Sequence, residues 1–106
     1  MAWAYLVAAG VLEVVWAYAM KSSHGFTRTT PTVLMLVTML GSFGLLSISM
    51  RTLPLGTAYT IWTGIGAVGA FLVGITLLGE AISAARLAAA ALIIFGLILM
   101  KVSTPT

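Results

Sequence analysis

Glu13 is the one acidic residue inside any long apolar stretch of this chain, and it sits in the middle of the first, Ala2–Met20. If that stretch crosses a bilayer as a helix, Glu13 lies about 16 Å along it, near the midplane of a hydrocarbon core about 30 Å thick. An acidic side chain there costs roughly 2.5–3.5 kcal/mol on insertion scales. The carboxyl lowers that cost by holding a proton, or by holding a cation in the proton's place. Exchanging one for the other is the chemistry of proton-coupled cation transport.

Helical spacing supplies the neighbours of Glu13. Residues three and four apart share a face, so Glu13 shares its face with Ala9, Gly10, Trp16 and Ala17. Gly10 and the alanines permit close approach of a helix or a substrate. Trp16 lies deeper than the interfacial belts where membrane tryptophans concentrate. Its indole N–H is placed to donate to Glu13 one turn away; packing against lipid or a helix is the plainer reading. In the third apolar stretch Tyr59, Trp62 and Thr63 fall at i, i+3 and i+4. Aromatic faces attract cations, Trp most strongly, by about 0.5–2 kcal/mol, and a tyrosine hydroxyl donates to a carboxylate. An ordinary aromatic pair near a helix end has the same spacing. Ser42, near mid-depth of the second stretch, can bond Glu13, a substrate, or its own helix backbone. Met39, Phe43 and Leu46 form an apolar stripe beside it, lining either a lateral opening or a packed seam.

The elements that must position these residues follow from composition. Of 106 residues 61% are hydrophobic and only 7% are charged. A soluble domain carries about 25% charged residues, so the chain reads as an integral membrane protein in a lipid bilayer. Four apolar segments are expected as helices, about residues 2–20, 32–50, 57–78 and 84–101, within a single transmembrane domain spanning residues 1–106. Each has the length a spanning helix needs, whereas barrel strands are shorter and alternate apolar with polar. Pro31 suits the first turn of the second helix, Pro54 and Gly56 punctuate the next break, and Ser83 is a candidate N-cap for the fourth. A polar tail, Ser103–Thr106, is expected to fray. No basic residue precedes the first stretch and Glu13 interrupts it, so it reads as a mature helix rather than a signal peptide. The fold class is an all-α, four-transmembrane-helix bundle with short loops.

Charge says little about orientation. Lys21, Arg28 and Arg86 fall on one side, Arg51 and Lys101 on the other. Three against two is almost no bias, which admits one fixed topology or insertion both ways round. Four helices leave little room around an ionisable group, and a second subunit would supply missing walls and a second Glu13.

Other chemistries are excluded by context. There are no cysteines and a single histidine, His24, so no metal site is expected. The scattered basic residues do not form a nucleic-acid patch. Gly64-Ile65-Gly66-Ala67-Val68-Gly69 matches the dinucleotide string, but no strand-to-helix turn precedes it and no acid follows at the required distance. It reads as a glycine-rich transmembrane helix able to pack closely and to bend. No nucleophile–base pair or cofactor motif remains, so neither an enzyme nor a cofactor is expected.

The lone Glu13, the loop His24-Gly25-Phe26-Thr27-Arg28 and the run Leu53–Gly66 resemble the small multidrug resistance transporters over essentially the whole chain. Glu13-Val14-Val15-Trp16-Ala17, Trp62-Thr63-Gly64-Ile65-Gly66 and Lys101 resemble the guanidinium-exporter subtype. The drug-exporting subtype typically lacks the tryptophan at the position of Trp16 and has serine at that of Thr63. Thr60 departs from the alanine usual in the family. The resemblance implies an antiparallel, dual-topology homodimer in a bacterial inner membrane. It implies that both copies of Glu13 bind protons and guanidinium in competition, that Gly10, Trp16, Ser42, Tyr59 and Trp62 line the site, and that transport is proton antiport. Two alternatives stand beside it: export of quaternary ammonium cations by the same fold, and a non-transporting membrane subunit whose Glu13 pairs with a partner.

Overall fold

The computed structural model describes residues 1–104. The four apolar segments are four helices: α1, Ala2–Ser22; α2, Thr29–Ser49; α3, Leu55–Leu77; and α4, Ala84–Ser103. All four are long and apolar enough to cross a membrane, at about 30–35 Å each. α2 starts at Thr29, earlier than Thr32, because a proline is tolerated in a first turn, where its missing N–H has no intrahelical partner to lose. α3 starts at Leu55, with Pro54 as its extended N-cap residue. Ser83 caps α4, its hydroxyl accepting from the Arg86 backbone N–H at 3.1 Å. α4 continues through Ser103, into the segment expected to fray; Pro105 and Thr106 lie outside the described residues.

The connections are short and locally fixed. In the first, the fully buried Ser23 donates its hydroxyl to the Met20 carbonyl at 2.7 Å and accepts from the Phe26 N–H at 3.0 Å. That bracket holds His24, Gly25 and Phe26 in the left-handed region, at φ of 50°, 72° and 69°. α3 ends where Gly79 turns at φ 67° and the N–H groups of Leu78 and Glu80 both bond the Gly74 carbonyl, a glycine-dependent stop.

The helices do not close into an even bundle. α1 packs along α2 and α3, α2 barely meets α3, and the backbone of α4 approaches α3 alone. The result is a slab of 43 × 34 × 16 Å. α4 has no buried residue. Lipid supplies no hydrophobic force between helices, so close packing depends on small residues at the contact. Gly64 of α3 is the one that admits α4, its α-carbon lying against Leu97. The core of Leu6, Ala9, Leu46, Leu53, Ala58, Ile61 and Trp62 gathers α1, α2 and α3 near the second connection. It anchors the end of the seam along which Glu13 lies.

Candidate functional site

Glycines of α3 determine how close α1 can come. Gly10 sits against Ile65, Glu13 against Gly66 and Val14 against Gly69. A β-carbon at Gly66 would overlap the Glu13 carboxyl, and one at Gly69 would overlap Val14. Glu13 is thereby held between helices, half-buried, with its carboxyl on the α3 backbone.

Glu13 Oε1 is buried and has no hydrogen-bond partner, and the same is true of Trp16 Nε1 one turn along α1. An acceptor and a donor on one face, both withdrawn from solvent and neither bonded within the chain, are exceptions among buried polar groups. The bond from Trp16 to Glu13 that their spacing allows is not made.

Ser42 has a different partner from those its spacing suggested. It is fully buried, donates to the Ala9 carbonyl at 2.6 Å and accepts from Trp62 Nε1 at 3.0 Å. The hydroxyl therefore ties α2 to α1 and fixes the Trp62 indole of α3, and it bonds neither Glu13 nor its own helix. Ala9 lies one turn before Glu13, so this relay and the carboxyl share the α1 face.

Aromatic rings continue from that relay. Trp16 meets Phe43 edge-on at 6.4 Å, Phe43 meets Trp62 at 5.9 Å, and Trp62 meets Tyr59 at 5.4 Å. Phe43 bridges the two indoles while remaining 45% exposed, and Tyr59 is 53% exposed. Met39 is half-buried and Leu46 belongs to the core, so the apolar stripe of α2 is divided between packing and an open flank. Thr63 faces outward beside Gly64, in an apolar groove between α3 and α4 that also includes Tyr59.

The structure thus brings Glu13, Gly10, Trp16, Ser42 and Trp62 into one α1–α2–α3 neighbourhood, with Tyr59 at its edge. It adds two features that sequence spacing did not reveal. Gly66 is the seat of the Glu13 carboxyl, and Phe43 is an aromatic bridge. Gly66 stood out only as one of several glycines, and which of them faces α1 depends on helix rotation.

This neighbourhood lies within a chain whose whole length has relatives. A family model for the Small Multidrug Resistance protein matches residues 1–93. Proteins named "Guanidinium exporter" from Citrobacter freundii and Salmonella typhimurium are 56% identical over 104 residues, covering 98% of this chain and 99% of theirs. One of the same name from Escherichia coli (strain K12) is 55% identical over 104 residues. With four apolar helices, and with the match running through Glu13, Trp16, Ser42, Tyr59 and Trp62, the chain belongs to the Small Multidrug Resistance family.

Proposed function

We propose that this protein exports guanidinium cations across the bacterial cytoplasmic membrane in exchange for protons, with Glu13 holding one or the other. The observation that carries the reading is the pair of buried, unsatisfied polar atoms, Glu13 Oε1 and Trp16 Nε1, at mid-span of α1. Relatives named as guanidinium exporters, more than half identical over nearly the full chain, support the choice of cation.

Guanidinium is planar and presents its N–H groups as a fork that matches a carboxylate. Indole faces stabilise such a cation where water is scarce. In this reading Glu13 is the ligand and proton carrier, Trp16 lies against the cation, and Gly10 and Gly66 let α1 and α3 approach. Ser42 positions Trp62, and Tyr59 closes the rim. Met39 and Phe43 flank a lateral opening toward lipid for substituted guanidiniums. A quaternary ammonium offers no N–H donor, so it gains no forked bond at Glu13.

The same reading makes the transporter an antiparallel, dual-topology homodimer. One subunit walls Glu13 on one side and leaves Phe43 and Tyr59 half exposed. An inverted copy supplies the opposite wall and a second Glu13, and a near-even charge distribution accommodates both insertions. The two carboxyls then titrate as a coupled pair.

Competition at one carboxyl requires that binding expel a proton. Guanidinium added to weakly buffered, purified protein should release protons, and Glu13→Gln should release none. Guanidinium binding with no proton release by the wild type would refute the coupling. Proton release on tetraalkylammonium addition matching that on guanidinium addition would move the reading to a broader cation exporter.

A further inference from the structure

The Glu13 seat has a second copy on α3. Glu80, in the connection between α3 and α4, lays its carboxylate on Gly74, where a β-carbon would overlap it just as one at Gly66 would overlap the Glu13 carboxyl. Gly66 and Gly74 are two i+4 steps apart, about 12 Å along the helix and on one stripe of it. Val14, Ala17, Tyr18 and Lys21 of α1 run between the two seats and, with Ala70 and Glu80, line a cleft of about 140 Å³. Glu80 stands at the outer end of the seam that holds Glu13.

The seat at Glu80 already holds a guanidinium, that of Arg86. Arg86 Nη2 lies 3.8 Å from Glu80 Oε1, Nη1 donates to the Ala81 carbonyl at 2.5 Å, and the guanidinium carbon lies 5.2 Å from the centre of the Phe71 ring. A carboxylate, a carbonyl and an aromatic face make a recognition set for a planar N–H cation. Both partners of the ion pair are more than two-fifths exposed, so the pair is weak and opens readily. Lys21, across the cleft, keeps any second cation there loosely held.

The geometry points to a peripheral guanidinium site at Glu80, with Phe71 and the Ala81 carbonyl, occupied by the protein's own Arg86 and opened to free guanidinium when Arg86 swings away. It lies at the outer end of the α1–α3 seam that holds Glu13. This inference rests on the reading of guanidinium as cargo and assigns that cargo a second seat. Arg86 acts as a tethered competitor, so its loss strengthens binding of free cation at this seat.

The test is a guanidinium chloride titration of the full-length protein in lipid nanodiscs, followed by the backbone amide resonances of Gly79, Glu80 and Ala81. Sodium chloride of equal ionic strength is the control. In Glu13→Gln, which removes the central ligand, a weak, saturable shift should appear at those amides. Adding Arg86→Gln should tighten it roughly threefold to tenfold, the relief expected when a site competent about 10–30% of the time becomes fully available. Adding Glu80→Gln instead should abolish it. Arg86→Lys in the same Glu13→Gln background, which keeps the charge without the planar fork, should fall between Glu13→Gln alone and its Arg86→Gln double variant. Shifts that sodium chloride reproduces, or that survive Glu80→Gln, or that Arg86→Gln leaves unchanged, would overturn the site. The central reading is judged separately, by whether the wild type shows a tighter binding step that Glu13→Gln removes.

Discussion

The Ser42 hydroxyl and Glu13 Oε1 are both withdrawn from solvent, but they differ in what they lack. Ser42 uses its hydroxyl fully, donating to Ala9 and accepting from Trp62. Ser42→Ala should leave the Trp62 indole unpaired and cost about 1–3 kcal/mol, read as earlier thermal unfolding and a shifted tryptophan emission. Ser42→Thr, which keeps the hydroxyl, should restore most of both; equal loss in the two variants would mean that volume, not the hydrogen bond, matters. Glu13 keeps an oxygen without a partner, and the proposed occupants are proton and cation. Protonation removes the carboxylate that the cation needs, so apparent guanidinium affinity should weaken as pH falls, a dependence that Glu13→Gln should flatten. The place of Glu13 midway along a spanning helix was legible in the sequence because it follows from counting along one apolar run. The partner of Ser42 was not, because the choice among Glu13, its own helix and a neighbouring helix depends on rotations that spacing does not fix.

At the scale of the helices, glycine placement decides which surfaces meet. Gly66 and Gly44 are both glycines inside transmembrane helices, yet an added β-carbon would strike the Glu13 carboxyl at Gly66 and meet nothing within 4 Å at Gly44. Gly66→Ala should therefore displace the carboxyl and reduce guanidinium flux roughly tenfold to a hundredfold, the scale of a misplaced catalytic or binding group. Gly44→Ala should leave flux unchanged. Similar losses in both would point to a general need for helix flexibility rather than a seat for Glu13. The cap of α4 offers a simpler check: Ser83→Ala removes the bond to the Arg86 N–H and should cost about 1 kcal/mol of stability. Helix number and approximate extent were readable because apolar length and Pro–Gly punctuation define them directly. The early start of α2 was not, since Thr29 and Thr30 are polar and yet helical ahead of Pro31. The distance of the α4 backbone from those of α1 and α2 was not either, because its small residues allow packing without requiring it.

As a whole, the molecule is a thin slab with Phe43 and Tyr59 of its aromatic row exposed, the flank that the proposed second subunit would cover. The basic residues, Lys21, Arg28 and Arg86 against Arg51 and Lys101, give almost no orientation bias. Lysines added to the 50–54 connection should lock one orientation and silence the protein expressed alone. Coexpression with a copy carrying added lysines in the 23–28 connection should restore guanidinium export. Full export by either locked form alone would contradict an antiparallel pair. The central claim, that one carboxyl exchanges protons for guanidinium, is tested most directly by guanidinium-dependent current and flux from purified protein in liposomes, with and without a pH gradient. The wild type should accumulate guanidinium against its gradient when a pH gradient is imposed, and Glu13→Gln should not. Accumulation driven by pH in Glu13→Gln, or guanidinium flux in the wild type that ignores the pH gradient, would contradict it.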